Sequence, residues 1–538
     1  MTAGSTLTRP RSGAAPLPET PPTGRGRGAE PPPPQAPART VAALLGRPMP
    51  ADRLRGWVVA VVLTLVGGVV RFWSLGTPSD KGTPVFDEKH YVPQTWQVLR
   101  NGGYEDNPGY ELVVHPPLSK QLMAVGQWIF GYDPVGWRVV SALAGTLCVL
   151  VIVRIARRLT RSTLLGGLAG VLLIADGVSE VSSRVGMIDI YPALFVLLAF
   201  GAILVDRDDV RARMATVVDE GRIDDTVWGP RLGVRWWRLA AGLCIGLALA
   251  SKWSGLYYIV FFGALVLGLD AAARRTAGVR RPFVGTALRD LLPAAWAMGI
   301  VPLLTYLGAW LPWIASEGGT DRHAVGQQVP VDGSFSFLPD WMRDMAYFSG
   351  KVLEFHATLD TPRGNPHPWE SKPWTWPMGL RPMLYYYDSG TTSAGGCGTT
   401  DCVRAVMLIG TPALWWVAIP VLLWAIWRVL TRADWRYAVV LVGYGAGFLP
   451  WFTNIDRQMY FFYMTPVVPF LVLAVVLVLG EIYGRRGAGA ERRSTGRLVV
   501  ALYTGLVVAN FVWLWPILIG SSVTADKWNA ELWLPSWR

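Results

Sequence analysis

The chain has 538 residues, 51% of them hydrophobic and 16% charged, with 27 tryptophans and a mean hydropathy of +0.31. That balance lies outside soluble globular domains and leaves an all-α, polytopic membrane protein. The formal net charge of +12 would suit nucleic acid in a soluble chain. Here the arginines cluster between apolar runs, so the charge reports topology and no nucleic-acid partner is expected.

Residues 1 to about 50 carry Pro31 to Pro34 and repeated Gly-Arg steps. They cannot bury enough apolar surface to fold, and a disordered cytoplasmic tail (1–50) ahead of a membrane domain (51–538) is expected. The tail is too long and too Pro-rich to be a cleaved signal peptide, so the first apolar run stays as an anchor. A bilayer core about 30 Å thick needs about 20 apolar residues per helix. Eleven such windows fall near 56–75, 136–156, 163–178, 188–205, 237–250, 253–269, 291–314, 404–428, 437–453, 459–482 and 498–520. Placing Arg47, Arg53 and Arg55 inside puts every Arg-dense segment in the cytoplasm: Arg154 to Arg161, Arg207 to Arg238, Arg274 to Arg289, Arg428 to Arg436, and Arg485 to Arg497. Spans five and six are separated only by Ser251-Lys252-Trp253-Ser254.

Two large segments then face outward, 76–135 and 315–403. The first opens with Pro84-Val-Phe-Asp-Glu-Lys-His-Tyr91, which carries Asp87, Glu88 and His90, and continues to His115-Pro-Pro-Leu-Ser-Lys120. Its apolar stretch Leu118 to Phe130 is too short to span and is expected to lie in the interface. The second holds Cys397 and Cys402, which in an oxidising compartment read as a disulfide, whereas a metal site would need further ligands nearby. Its aromatic run from Trp369 to Tyr387 suits a cover over a site, a surface for extended acceptor chain, or an interfacial belt. Cys148 and Cys244 fall inside spans and read as small packing residues.

Ionisable groups at membrane depth cost about 2.5–3.5 kcal/mol each, so those present are paired, wetted or functional. Asp87, Glu88, Arg138, Arg184, Asp189 and Lys252 all reach the outer membrane level. Taken singly, Arg138, Arg184 and Lys252 fit side chains snorkelling to headgroups. Together, cations beside carboxylates suit a lipid-linked phosphate, with Asp189 as a structural partner of Arg184. His90 and His115 are too scattered to argue for a metal. Adjacent acids fit poorly the carboxyl separation of a two-carboxylate glycosidase. A sugar phosphate needs only one base and a cationic pocket, because phosphate leaves readily once its charge is neutralised. An acceptor hydroxyl would then attack the anomeric carbon directly, with inversion.

The motifs Phe86-Asp-Glu-Lys-His-Tyr91, His115-Pro-Pro-Leu-Ser-Lys120, Trp137-Arg-Val-Val-Ser141, Ser183-Arg-Val-Gly-Met-Ile-Asp189, Ser251-Lys-Trp-Ser-Gly255 and His367-Pro-Trp-Glu-Ser-Lys-Pro-Trp374, with the late stretch from Arg457 to Pro466, resemble the bacterial protein O-mannosyltransferases. The resemblance implies the GT-C fold, with about eleven transmembrane helices and two large extracytoplasmic loops. It implies transfer of mannose from a polyprenyl-phosphate-mannose lipid donor to Ser or Thr hydroxyls of secreted or membrane proteins, during translocation. The C-terminus and active site would be extracytoplasmic, in the cell membrane. Asp87 matches the general-base position and Glu88 supports it, while Arg138, Arg184 and Lys252, with His115 and Lys120, would surround the donor head group. No cofactor is required, and a divalent metal is left open. The eukaryotic members' β-trefoil insertion has no room in residues 315–403. Alternatives are a transferase using another polyprenyl-phosphate sugar on a glycan or lipid, and a membrane transporter, for which no internal repeat speaks.

Overall fold

A computed structural model of the chain describes residues 45, 48–79, 82–106, 113–361, 366–390, 397, 401–484 and 489–538. Residues 1–44, most of the expected tail, lie outside the described residues. Among the described residues each apolar window holds a helix. Seven are long and apolar enough to cross a membrane: Arg53–Phe72, Pro134–Thr160, Ile190–Asp219, Gly255–Thr276, Leu291–Ala309, Pro412–Arg432 and Ala490–Ile519. Thr163–Ile174 and Gly177–Arg184 meet the same test only together, across a break bent by 61°. Trp236–Ser251 and Val468–Tyr483 are apolar but have 16 residues each, and Trp435–Phe448 has 14.

Local chemistry sets these boundaries. The Asp133 and Ser162 side chains accept from Gly136 and Leu165 backbone N–H groups and cap their helices. At the bend, Asp176 Oδ1 caps Ser179 N at 2.8 Å and Oδ2 accepts from Trp415 Nε1 at 2.6 Å, so the broken backbone is satisfied by protein. The helix Arg53–Phe72 exposes Val58, Val61, Val62, Leu65 and Val69, a face suited to lipid. Ile190–Asp219 instead buries most of its length in the centre of the bundle.

Ion pairs tie the Arg-dense connections into one end of the bundle. Arg157 meets Asp52 at 2.7 Å, Arg158 and Arg161 share Asp208 at 2.6 and 2.9 Å, Arg235 and Arg238 bridge Asp206 and Asp270, and Arg274 meets Asp290 at 2.8 Å. The opposite end carries the loops that follow Phe72, Ile314 and Phe448.

Two windows extend past their helices. Residues 404–408, read as the start of a span, belong to a strand, and the span begins at Pro412. Residues 459–467 are irregular and 3₁₀, with the helix starting at Val468 just before Pro469. The strand belongs to a small antiparallel sheet in the order β1 (Met383–Ser389), β2 (Cys402–Leu408), β3 (Ser522–Thr524). Tyr386 pairs with Val406 after an irregularity in β1, and Cys402 pairs with Thr524, which stitches the second large loop to the C-terminal segment. Cys397 and Cys402 are bonded at the start of β2, their Cα atoms 6.0 Å apart.

Candidate active site

The turn that presents Asp87 is held in an uncommon conformation. Phe86 has φ of 51°, the left-handed region that bulky side chains seldom enter. Its ring is stacked on Tyr385 at 4.3 Å and 10° and lies edge-on to Phe462 at 6.3 Å. Packing of a strand and of the late loop onto one ring therefore fixes the entry to the helix Glu88–Arg100.

The two adjacent acids diverge from there. Glu88 is fully buried: Oε1 and Oε2 take Arg138 Nε and Nη2 at 2.7 and 2.8 Å, and the N–H groups of Gly186 and Val85 donate at 2.7 and 3.0 Å. Removing one partner of such a buried pair costs about 3–5 kcal/mol. Asp87 is only partly buried and makes no side-chain cap bond. Burial pushes its carboxyl up to about 6, opposed by His90 and Lys252 and assisted by Asp189.

Lys252, at the end of the helix Trp236–Ser251, donates to Asp189 Oδ1 at 2.7 Å and lies 5.1 and 5.4 Å from the Tyr463 and Phe462 ring centroids. Asp189 was expected to partner Arg184. It pairs with Lys252, because Arg184 turns toward the end of the helix Arg53–Phe72. Asp189 Oδ2 is buried with no hydrogen-bond partner among the described residues. Asp189, Lys252, Tyr257, Trp451 and Tyr463 line a narrow cavity.

A second cation stands beside Tyr463. Arg457 Nη1 donates to the Tyr463 hydroxyl at 3.2 Å, and Nη2 lies 3.2 Å from His356 Nδ1 on the helix Asp340–Thr358. A guanidinium can only donate, so His356 accepts through an unprotonated Nδ1. Burial, then Arg457 and Lys252, push His356 down to about 4. His115, whose ring is 6.1 Å from that of His356, is held well below its usual range by burial first and then Lys252. Both imidazoles are neutral near pH 7, so the positive charge here resides on Lys252 and Arg457.

Three expected donor-site cations lie elsewhere. Arg138 spends its donors on Glu88 and the Leu75 carbonyl. Arg184 donates to the carbonyls of Val70, Arg71 and Ser74, closing the end of the helix Arg53–Phe72, whose last carbonyls lack intrahelical partners. Lys120 is fully buried against Glu105, 3.3 Å from the His115 carbonyl. Each is consumed by the scaffold. Spacing gave no sign of His356, and Arg457 was visible only as part of the late motif. Among the described residues no group of three or more His, Cys, Asp or Glu is placed to hold a metal.

Comparison with known proteins identifies the family and the fold. Residues 134–269 match the family model of dolichyl-phosphate-mannose-protein mannosyltransferases, and residues 342–537 match the C-terminal four-transmembrane region of protein O-mannosyltransferase. The chain is 54% identical over 489 residues to a polyprenol-phosphate-mannose–protein mannosyltransferase of Mycobacterium tuberculosis, covering 91% of this chain and 93% of that one. It is 44% identical to the enzyme of the same name from Corynebacterium glutamicum, with 90% and 93% covered. The S. cerevisiae protein O-mannosyltransferase Pmt1–Pmt2 complex bound to the sugar donor superposes with a TM-score of 0.69 at 15% identity, over 93% of this chain and 94% of that chain. The fold is that of the GT-C membrane glycosyltransferases, and the chain belongs to the polyprenol-phosphate-mannose–protein mannosyltransferase family.

Proposed function

We propose that the protein transfers mannose from polyprenol-phosphate-mannose to Ser or Thr hydroxyls of proteins, with Asp87 as general base. The observation that carries this reading is the difference between the two adjacent acids. Glu88 is fully paired and buried, whereas Asp87 remains partly open with its carboxyl near 6, within electrostatic reach of Lys252. A base poised about one unit below neutral pH is ionised yet still basic enough to take a hydroxyl proton. The acceptor oxygen attacks the anomeric carbon, its proton passes to Asp87, and the bond from that carbon to the phosphate oxygen breaks, releasing polyprenyl phosphate. One displacement gives inversion.

Lys252 and Arg457 are the cations in this reading that meet the donor phosphate. Both hold a hydrogen bond to a site residue, and both stand against the Tyr463 ring. Arg138 positions Glu88 and thereby the start of the helix on which Asp87 sits. The Arg-rich end is placed in the cytoplasm by the excess of positive charge in its short connections. The site and the C-terminus then face outward across the cell membrane, where acceptors are met as they are translocated. Asp87→Asn tests the assignment: transfer from polyprenyl-phosphate-mannose to a Thr-containing peptide should be lost while protein abundance is unchanged. Full activity in that variant would refute Asp87 as the base.

A further inference from the structure

We propose that the groove between residues 366–381, together with Thr361, and the C-terminal residues 534–536 holds an extended stretch of the acceptor polypeptide next to the modified hydroxyl. This rests on the acceptor being a protein. The groove encloses about 830 Å³. One wall is bonded to the strip of chain that carries Arg457: Thr361 N donates to the Asp456 carbonyl at 3.0 Å, Ser371 N to that of Met459 at 2.9 Å, and Lys372 Nζ to that of Arg457 at 2.9 Å. A chain lying in the groove therefore runs alongside the cationic part of the site.

The opposite wall is the C-terminal segment, and it is preformed. Ser536 Oγ donates to the Leu380 carbonyl at 2.5 Å, Arg381 donates to the Ser536 carbonyl, and Trp537 is buried. A groove built before the ligand arrives avoids an ordering cost on binding.

The chemistry of the lining selects the occupant. Pro368, Leu534 and Pro535 line it with Trp374, which is 58% exposed, and such Pro and aromatic surfaces accept extended peptide. Glu370 supplies the polar contact. Its Oε1 takes Lys372 Nζ at 2.8 Å and the Thr361 hydroxyl, while Oε2 is buried with no hydrogen-bond partner among the described residues. A turn of the Glu370 carboxylate toward the groove it lines would offer this oxygen to a backbone N–H of an extended chain. The lining cations are engaged within the protein, Lys372 with Glu370, Thr361 and the Arg457 carbonyl, and Arg381 with the carbonyls of Pro368 and Ser536. The groove accordingly suits an uncharged backbone rather than a phosphate.

The test compares a short Thr peptide with the same peptide extended on both sides, using the full chain in nanodiscs with polyprenyl-phosphate-mannose. The wild type should show a lower KM for the extended peptide. Trp374→Ala and Glu370→Gln should each raise that KM about fivefold or more, the equivalent of one lost contact, with kcat unchanged and the short peptide unaffected. Equal changes for both peptides would mean a structural role and overturn the proposal, as would equal wild-type KM values. Relief of the extended-peptide advantage by a mannose oligosaccharide, lost in Trp374→Ala, would reassign the groove to glycan. Failure of the wild type to transfer to either peptide would instead refute the reading of the reaction.

Discussion

The pH dependence of transfer follows from the surroundings of Asp87. Burial raises its carboxyl from an ordinary 3.8 to about 6. If the carboxylate is the active form, activity is present above that value and lost as pH falls through it. With a midpoint of about 6, about 91% of the sites are ionised at pH 7 and about 9% at pH 5, a tenfold loss of kcat/KM. An unshifted aspartate would lose less than about 10% over the same interval. Asp189→Asn makes a sharper test, because Asp189 contributes to the upward push and also occupies Lys252, which pulls downward. Both consequences move the acid limb to lower pH. The assay is kcat/KM for acceptor peptide from pH 4.5 to 8, with samples returned to pH 7 to separate titration from inactivation. The anionic phosphate of bound donor should place the limb of kcat above that of kcat/KM measured for the lipid donor. A wild-type rate that is flat down to pH 5, or an Asp189→Asn limb that does not descend, would refute the assignment.

Lys252→Met and Arg457→Met should each weaken donor binding by about 10- to 150-fold, the range for one charge-assisted hydrogen bond, measured as KM for the lipid donor at fixed peptide. Arg138→Met should instead lower stability by about 3–5 kcal/mol, read as a fall in the thermal midpoint in detergent, because it strands the buried Glu88 carboxylate. Glu88→Gln with Arg138→Met should recover part of that loss, and a fall in stability equal to the sum of the single changes would argue against the pair. In unreduced protein, thiol labelling under denaturing conditions should reach Cys148 and Cys244 but not Cys397 or Cys402 until a reductant is added.

The helical framework was legible because spans are written in composition: an apolar window of about 20 residues bounded by arginines says helix. The break at Ser251 to Ser254 appeared as a helix end and a restart at Gly255. The Leu118–Phe130 helix likewise fell on the short apolar stretch. The small sheet was less visible. Val403, Ala405 and Met407 lie in an apolar run that continues into a span, and periodicity cannot divide strand from helix across such a boundary. Polar partners were the least legible part. Sequence placed Arg138, Arg184 and Lys252 at one level. Which of them is consumed depends on contacts such as Arg138 to Glu88, 50 positions apart, and Arg184 to the Arg71 carbonyl, 113 apart.

Adjacency of the two acids makes sense once their surroundings are separated. At the start of a helix, where unpaired backbone N–H groups favour negative charge, consecutive positions point in different directions. Glu88 takes the inward direction and is saturated by Arg138 and two backbone donors, so it anchors the turn against the helices Pro134–Thr160 and Gly177–Arg184. Asp87 keeps the outward direction, held by the left-handed Phe86 and the Tyr385 stack. A second free carboxylate at this distance would raise the first through like-charge repulsion and leave both partly protonated at neutral pH. Neutralising Glu88 with an arginine that is itself withheld from the phosphate therefore helps keep Asp87 near 6. Exchanging the pair's charges, by Glu88→Arg with Arg138→Glu, places a cation beside Asp87 but withdraws the acceptor from the Val85 and Gly186 N–H groups, so the variant is assayed below its lowered thermal midpoint. The acid limb of kcat/KM in that double variant should fall below that of the wild type, and a limb that stays in place would show that the charge of residue 88 does not reach the base.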